Sequence, residues 1–260
     1  MTPVGSDVLD AAEPEPRHIQ GLEAAAARAW PAAERVPLGG WMLRASPATP
    51  RRVNSVFTHA PPPPGDLDAH IDTVEAFYRE HGRPPRFQVT RASLPMGLAD
   101  RLAERGYGVE APVDIQLAAP DRIRAGPAPG CDVDLAARPG EDWRRVYVAG
   151  FGRDVSDVLG LIDVPAVFPV LRRGGEALAV GIGVLVAGWV CVFGMQTRPA
   201  ERGRGLGTAV MAAMVGWGLA RGAHGFYLQV EDDNPDAKRL YERMGFRTRY
   251  GYHYRSLLET

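Results

Sequence analysis

The sequence predicts a mixed α/β fold, in which helices pack on a sheet of both parallel and antiparallel strands. The apolar run over residues 177–193 contains three glycines and is too short for a membrane helix, which needs ~20 apolar residues. It therefore indicates two buried strands. The run after the next glycine-rich stretch instead repeats its apolar residues at helical spacing, as Val210, Met214 and Trp217 show.

Turn and cap residues set the order of elements in the second half. Ala187-Gly188 has the composition of a two-residue hairpin turn, and Gly222 ends the helix that contains Val210. Asn234 is a good N-cap, with Pro235 at the first helical position and Gly245 just past the end. The predicted strands cover 131–137, 168–171, 177–186, 189–197, 225–230 and 250–258, and the predicted helices cover 142–151, 208–221 and 235–244.

The first half of the chain repeats the second half faintly. One constant shift along the chain places Thr58 on Thr197, Phe87 on Phe226 and Gly106 on Gly245 without a gap. The predicted strand, the helix after it and the glycine that ends the helix then coincide in order between the two halves, which favours a duplicated fold. The proline- and glycine-rich stretch before Cys131 indicates a linker. We expect a loose tail over residues 1–20, a first domain over 21–118, the linker over 119–130 and a second domain over 131–260.

Composition and charge disfavour several classes of function. Hydrophobic residues make up 45% and charged residues 23%, as in a soluble globular protein, and the net charge of −1 gives no basic surface for nucleic acid. The start of the chain, from Met1 to Gln20, carries acids and prolines rather than a secretory signal. Two cysteines and six scattered histidines make neither a disulfide framework nor a metal pattern. We therefore expect a cytoplasmic protein without metal or membrane partner.

The segment ERGRGLGTAV, residues 201–210, carries the strongest chemical signal. Its glycines allow a tight loop that opens a helix, so unsatisfied amides and the helix dipole face one spot, where two arginines add positive charge. These features predict a pyrophosphate site, and the alternative is a flexible Gly/Arg turn. No Gly-Lys-Ser/Thr follows, and preceding hairpins disfavour a Rossmann site. The shifted equivalent, residues 63–68, holds prolines and aspartates, which disfavour phosphate.

The run MQTRPAERGRGLGTAV, followed by FYLQVEDDNPDAKRLYERMGF, resembles the GNAT superfamily of acetyl-CoA-dependent N-acetyltransferases. The superfamily's loop signature is met by Arg202, Gly205 and Gly207. The resemblance extends from Cys131 to the C-terminus, and the first half is similar to the degenerate partner domain of tandem members. It implies two tandem GNAT-like domains, the second one catalytic. The downstream pattern is met by Asn234, Ala237, Leu240, Tyr241, Gly245 and Phe246.

The resemblance also implies roles for the matching positions. Backbone groups of Met195, Gln196 and Thr197 would bond the pantetheine arm, and Asn234 would contact its lower part. Tyr241 would lie beside the thioester sulfur as a proton donor. The amides that would take the pyrophosphate belong to Arg202, Gly203, Arg204, Gly205, Leu206, Gly207 and Thr208.

A general base is needed because a free lysine amine has a pKa of about 10.4 and must lose a proton to attack. Glu231 is the first choice, since it ends the strand beside the point where the resemblance implies that two parallel strands part. We expect Asp232 and Asp233 to form a solvated acidic turn. We expect Arg52, Asn54 and His59 in the first half to be ordinary polar residues rather than acceptor contacts. The weaker alternatives for the base are Glu176, Asp154, Asp157 and His253.

The function implied by the resemblance is transfer of an acetyl group from acetyl-CoA to a primary amine by direct attack on the thioester. The amine belongs to a small molecule or a protein. One alternative is a non-catalytic acyl-CoA-binding regulatory protein on the same scaffold. Another is a tandem scaffold whose first half binds the acceptor or a partner protein. Two fused halves favour a monomer.

Overall fold

The computed structural model describes residues 6–9, 13–47 and 50–258. Its helices are α1 (Pro16–Ala29), α2 (Leu67–Glu80), α3 (Leu98–Glu104), α4 (Glu141–Phe151), α5 (Ser156–Leu159), α6 (Leu206–Leu219) and α7 (Pro235–Arg243). Its strands are β1 (Glu34–Leu38), β2 (Trp41–Ala45), β3 (Val56–Phe57), β4 (Arg86–Val89), β5 (Gly108–Ala118), β6 (Asp132–Ala136), β7 (Ala166–Arg173), β8 (Glu176–Val186), β9 (Trp189–Thr197), β10 (Gly225–Glu231) and β11 (Arg247–Ser256).

The strands form an eleven-stranded mixed sheet in the order β1-β2-β3-β4-β11-β5-β10-β9-β8-β7-β6. The two halves exchange their last strands: β5 from the first half lies between β10 and β11, and β11 from the second half pairs with β4. The predicted mixed α/β fold is therefore confirmed, and both halves share a continuous sheet.

The internal repeat is present in the structure. The shift that places Thr58 on Thr197 also places both ends of α2 on those of α6, and the start of β4 on that of β10. Each half also contains a parallel strand pair, β3 with β4 and β9 with β10. The faint sequence match thus reflects equivalent elements, although the exchange of β5 and β11 leaves the proposed domain boundaries as a prediction.

Apolar side chains cover both faces of the sheet in the second half. Helices α6 and α7 pack on one face, around Phe226 and Leu228 of β10. Helices α1 and α4 pack on the opposite face, where Tyr227 of β10 is buried. This alternation follows the two-residue period of a strand. The site described below therefore has an α6 face and an α1 face.

The expected loose tail over residues 1–20 is wrong for its described part beyond residue 15. Residues 16–20 form the first turns of α1, with Ile19 fully buried and the Gln20 side-chain amide donating to the Ala92 carbonyl at 3.1 Å. Val8 and Leu9 are buried as well. Residues 1–5 and 10–12 lie outside the described residues. Ile19, Leu22 and the alanines of α1 form an apolar stripe that packs against the sheet, although the residues before it are rich in acids and prolines.

The predicted elements of the second half are confirmed with small shifts of their ends. The hairpin turn Ala187-Gly188 has φ of 50° and 81°, as a primed two-residue turn requires. Asn234 caps α7 by accepting the Ala237 amide at 3.1 Å. Among the described helices, none is long and apolar enough to cross a membrane.

Candidate active site

A gap opens where β9 and β10 part. The two strands pair in parallel from Trp189 and Gly225 as far as Val192 and Leu228, where their pairing in the described structure ends. The register between β8 and β9 shifts at the same level, and Gly194 has φ of +58°. An added Cβ at Gly194 would lie 2.9 Å from the Tyr147 ring, so only glycine fits this bulge. We call the space beyond Val192 and Leu228 the strand gap.

The edge of β9 presents main-chain groups to the strand gap. The Arg198 amide donates to the Leu178 carbonyl at 2.9 Å, toward β8. Because successive residues of a strand alternate their polar edges, Met195 and Thr197 face away from β8. The Thr197 amide donates to the Gln196 side-chain oxygen at 3.1 Å. The Arg202 guanidinium lies 3.4 Å from the Thr197 carbonyl. The side chains of Gln196 and Arg202 thus both contact main-chain groups of this edge.

The glycine loop, residues 202–207, follows directly and leads into α6. Gly203 and Gly205 have φ of +76° and +75°, and an added Cβ at either would meet no atom within 4 Å. Gly205 is the N-cap and offers no side-chain hydrogen bond, and the Ala209 amide makes the first bond into the helix, to the Gly205 carbonyl at 3.1 Å. The amides of Leu206, Gly207 and Thr208 thus point out of the helix end, where they and the dipole attract an anion.

Glu201 fixes the entrance to this loop. Its carboxylate pairs with Arg173 of β7 and with Arg204 of the loop, each at 3.0 Å. Arg202 is exposed and can turn toward an anion. Glu201 therefore holds the start of the loop in place, while the space beside Gly203 and Gly205 stays open.

The equivalent helix end in the first half is closed. Asp66 is the counterpart of Gly205 in the internal repeat and caps α2 with its own carboxylate, which accepts the Asp68 amide at 3.1 Å. Arg101 and Arg105 pair with Asp68 in turn. The Gly40 amide also donates to the Pro61 carbonyl at 2.7 Å, which holds the β1–β2 turn against residues 61–64. The Asp66 carboxylate therefore already satisfies an amide at this helix end, where a phosphate oxygen would otherwise bind.

Tyr241 lies on α7 and packs against the same apolar cluster as Met195. Its ring meets Phe246 edge-on at 6.0 Å, and its hydroxyl forms no hydrogen bond with any residue that the structure describes. Burial raises the pKa of Tyr241 to about 12. The hydroxyl is therefore protonated at neutral pH and has a hydrogen to donate.

Glu231 ends β10 on the opposite face of the sheet. Since Tyr227 faces α1, the strand period places Gln229 and Glu231 on that face as well. The Glu231 carboxylate is more than half exposed and lies 3.7 Å from the Arg51 guanidinium. Tyr241 and Glu231 thus lie on opposite faces of the sheet.

Comparison with known proteins identifies the family of this chain. Residues 17–255 match the family model described as "Probable histone acetyltransferase Rv0428c C-terminal". The chain is 30% identical over 251 residues to the probable histone acetyltransferase Rv0428c of Mycobacterium tuberculosis, covering 91% of this chain and 73% of that protein. The chain belongs to this acetyltransferase family, within the GNAT superfamily. It is an acetyl-CoA-dependent acyltransferase.

Further similarities agree with this family. The uncharacterized N-acetyltransferase YobR of Bacillus subtilis is 29% identical over 248 residues, covering 91% of this chain and 98% of that protein. A GCN5-related N-acetyltransferase from Kribbella flavida has the same fold, with a TM-score of 0.72 at 17% identity over 96% of this chain and 98% of that one. A tandem GNAT protein from the clavulanic acid biosynthesis pathway matches with a TM-score of 0.57 at 16% identity, covering 76% and 73% of the two chains.

A buried polar network of this GNAT protein lies under the α1 face, and no local pattern in the sequence indicates it. Glu23 of α1 is 1% exposed and accepts hydrogen bonds from the hydroxyls of Tyr227 and Tyr250, at 2.9 Å and 2.8 Å. Burial raises the pKa of Glu23, although Tyr250 and Tyr227 oppose that rise. Gln229 joins the network by donating to the Tyr227 hydroxyl at 2.7 Å. The network ties α1 to the strands that border the gap.

Two polar residues of the first half have structural roles, as expected. The Asn54 side chain accepts the Ser46 amide at 3.0 Å and donates to the Pro50 carbonyl at 3.2 Å. His59 is buried and lies 3.0 Å from the Thr90 hydroxyl. Burial lowers the pKa of His59 to about 3, so it is neutral and unsuited to hold an anion.

An open cleft of about 890 Å³ lies elsewhere, between the β6–β7 edge and the C-terminal end of α6. Trp217 and Arg221 line one side of it, and Leu159 and Phe168 line the other. It contains none of the loop or gap residues. The uncapped amides at the start of α6 lie at the other end of that helix, away from this cleft.

Proposed function

We propose that this chain transfers the acetyl group of acetyl-CoA to a primary amine, and that the glycine loop and strand gap of the second half hold the coenzyme. The observation that carries the proposal is the uncapped N-terminal end of α6 beside the gap. An added Cβ at Gly203 or Gly205 would meet no atom within 4 Å, and no side chain of the N-cap residue bonds the first amides of α6, which fits a diphosphate. In the first half, Asp66 fills the equivalent position, so the proposal is one coenzyme per chain.

The pantetheine arm would pair with the β9 edge through the main-chain groups of Met195 and Thr197. Gln196 and Arg202 must first leave this edge, and the long Arg202 contact of 3.4 Å makes that displacement inexpensive. Arg202 and Arg204 would then add charge to the phosphates. Asn234 uses its side-chain oxygen for the helix cap, which leaves its amide group to contact the arm.

Acetyl-CoA supplies a thioester whose carbonyl the neutral amine attacks, so that a C–N bond forms while the C–S bond breaks. The protein must then accept one proton from the amine and supply one to the sulfur. Tyr241 is protonated and makes no hydrogen bond within the described structure, so it would donate to the leaving sulfur. Glu231 would remove the proton from the amine, directly or through water, from the opposite face. Placement of the two reactants can lower the activation free energy by ~7–11 kcal/mol.

The experiment that tests the proposal measures acetyl-CoA consumption over a panel of amines. The panel should include small amines and a lysine-containing basic peptide, because one relative carries the name histone acetyltransferase. Amine-dependent release of coenzyme A with formation of the N-acetyl product would support the proposal. Tight binding of acetyl-CoA without transfer to any amine would instead favour the non-catalytic alternative.

A further inference from the structure

Arg52 lies at the mouth of the strand gap on the α1 face. Its guanidinium carbon is 5.2 Å from the centre of the Phe193 ring and 5.6 Å from that of Trp30. Phe193 immediately follows Val192, the last residue of β9 that pairs with β10. The cation therefore sits where the two strands begin to part.

The guanidinium has aromatic neighbours in place of a carboxylate. Within residues 6–9, 13–47 and 50–258, Arg52 forms neither an ion pair nor a hydrogen bond. Its positive charge acts on the hydroxyls of Tyr147, Tyr252 and Tyr254. By contrast, the adjacent Arg51 is bound to Glu110 at 2.6 Å. Aromatic stacking holds an arginine in place while its edge donors stay available to an anion.

The face on which Arg52 lies is the one from which an acceptor would approach. The glycine loop and Tyr241 belong with α6 and α7 on the other face, which the coenzyme would cover. The α1 face carries Glu231, the proposed base, and Gln229, whose side-chain oxygen accepts a hydrogen bond of 3.2 Å from the Tyr252 hydroxyl. An acceptor amine entering here meets Arg52 beside the reacting atoms.

We propose that Arg52 binds an anionic group of the acceptor, so that the substrate is a small primary amine bearing a carboxylate or a phosphate. The inference rests on the proposed acetyl transfer and narrows its acceptor. A guanidinium fork matches the paired oxygens of either group. A lysine-rich peptide would place its cations against Arg52 instead, and is the acceptor that this site disfavours.

The first test varies the acceptor and leaves the protein unchanged. Matched amines of two to four carbons would be compared as the ω-amino carboxylate, the aminoalkyl phosphate, the carboxamide and the plain alkylamine, together with a lysine-rich peptide. We expect an anionic acceptor to exceed its neutral partner in kcat/KM by about 10- to 100-fold, as loss of a charge-assisted hydrogen bond implies. The carboxylate and phosphate arms show which oxyanion is preferred.

The second test removes the cation. Arg52→Gln should lower kcat/KM for the anionic acceptor by about 10- to 100-fold and leave that for the neutral amine and the affinity for acetyl-CoA unchanged. Arg52→Lys should restore only part of the loss, because an ammonium lacks the fork. Arg221→Gln is the matched control, since Arg221 also stacks on a tryptophan, at 4.7 Å, but at the far end of α6. Thermal unfolding of each variant separates misfolding from loss of the contact.

Two results would overturn the inference while leaving acetyl transfer intact. One is equal kcat/KM for anionic and neutral acceptors with the unchanged protein. The other is an Arg52→Gln variant that loses activity equally toward both. Absence of transfer to every amine would instead remove the proposed function itself.

Discussion

Gly205→Ala perturbs the helix end that the proposed function depends on most. Gly205 has φ of +75°, and an added Cβ there would meet no atom within 4 Å. The change therefore adds no steric clash inside the protein. Its cost is conformational, about 1–2 kcal/mol for an L-residue in the left-handed region. For a chain of this size, that cost corresponds to a fall in Tm of about 2–8 °C.

The same methyl group would project into the space proposed for the diphosphate. If it costs one charge-assisted hydrogen bond, the Kd for acetyl-CoA should rise about 10- to 100-fold. Titration calorimetry gives the Kd, and circular dichroism melting gives the Tm. Both measurements use the same preparation.

Gly222→Ala is the control because Gly222 has φ of +76° and equally open surroundings, just beyond the other end of α6. It should lose the same stability and keep its affinity for acetyl-CoA. The reasoning is refuted if Gly205→Ala and Gly222→Ala lose similar stability but both bind acetyl-CoA as the unchanged protein does. The diphosphate would then not lie at this helix end.

Three further predictions follow from the geometry. Tyr241→Phe should lower kcat by about 100-fold or more while sparing the Kd for acetyl-CoA, and in the unchanged protein the rate should show no loss from Tyr241 ionisation until the pH approaches 12. Gly194→Ala should lower Tm and turnover together, because its Cβ would lie 2.9 Å from Tyr147. Burial raises the pKa of Glu23 above 4.5, so this carboxyl favours folding at low pH and that contribution is lost as pH rises through its folded pKa. As the pH rises from 4 to 8, the free energy of unfolding should therefore fall less for Glu23→Gln than for the unchanged protein, as denaturant titrations can measure. Equal falls in the two proteins would contradict this.

Local features of the site could be predicted from the sequence because short-range rules set them. The glycine spacing of the loop, the helix that follows it and the Asn234 cap each depend on a few neighbouring residues. The internal repeat also emerged, since equivalent elements keep their glycine stops at Gly106 and Gly245. The tandem fold then followed from a match that is weak at any single position.

Long-range pairing could not be predicted in the same way. Insertion of β5 between β10 and β11 depends on contacts between opposite halves of the chain, which no local pattern encodes. The local sequence pattern predicts a tail where α1 begins, although Glu23 of this helix binds two strands from the far end of the chain. Arg52 looked like an ordinary loop residue because its aromatic neighbours, Trp30 and Phe193, are distant in sequence from one another.

The central claim is that the bare helix end of the second half, and not its capped counterpart, binds the coenzyme's diphosphate. Calorimetric titration with acetyl-CoA, and separately with S-acetylpantetheine, which lacks the diphosphate and the adenosine phosphate attached to it, tests it most directly. The account predicts one acetyl-CoA per chain and binding of S-acetylpantetheine that is weaker by about 100-fold or more. Equal affinity for the two compounds, or two acetyl-CoA molecules per chain, would contradict it.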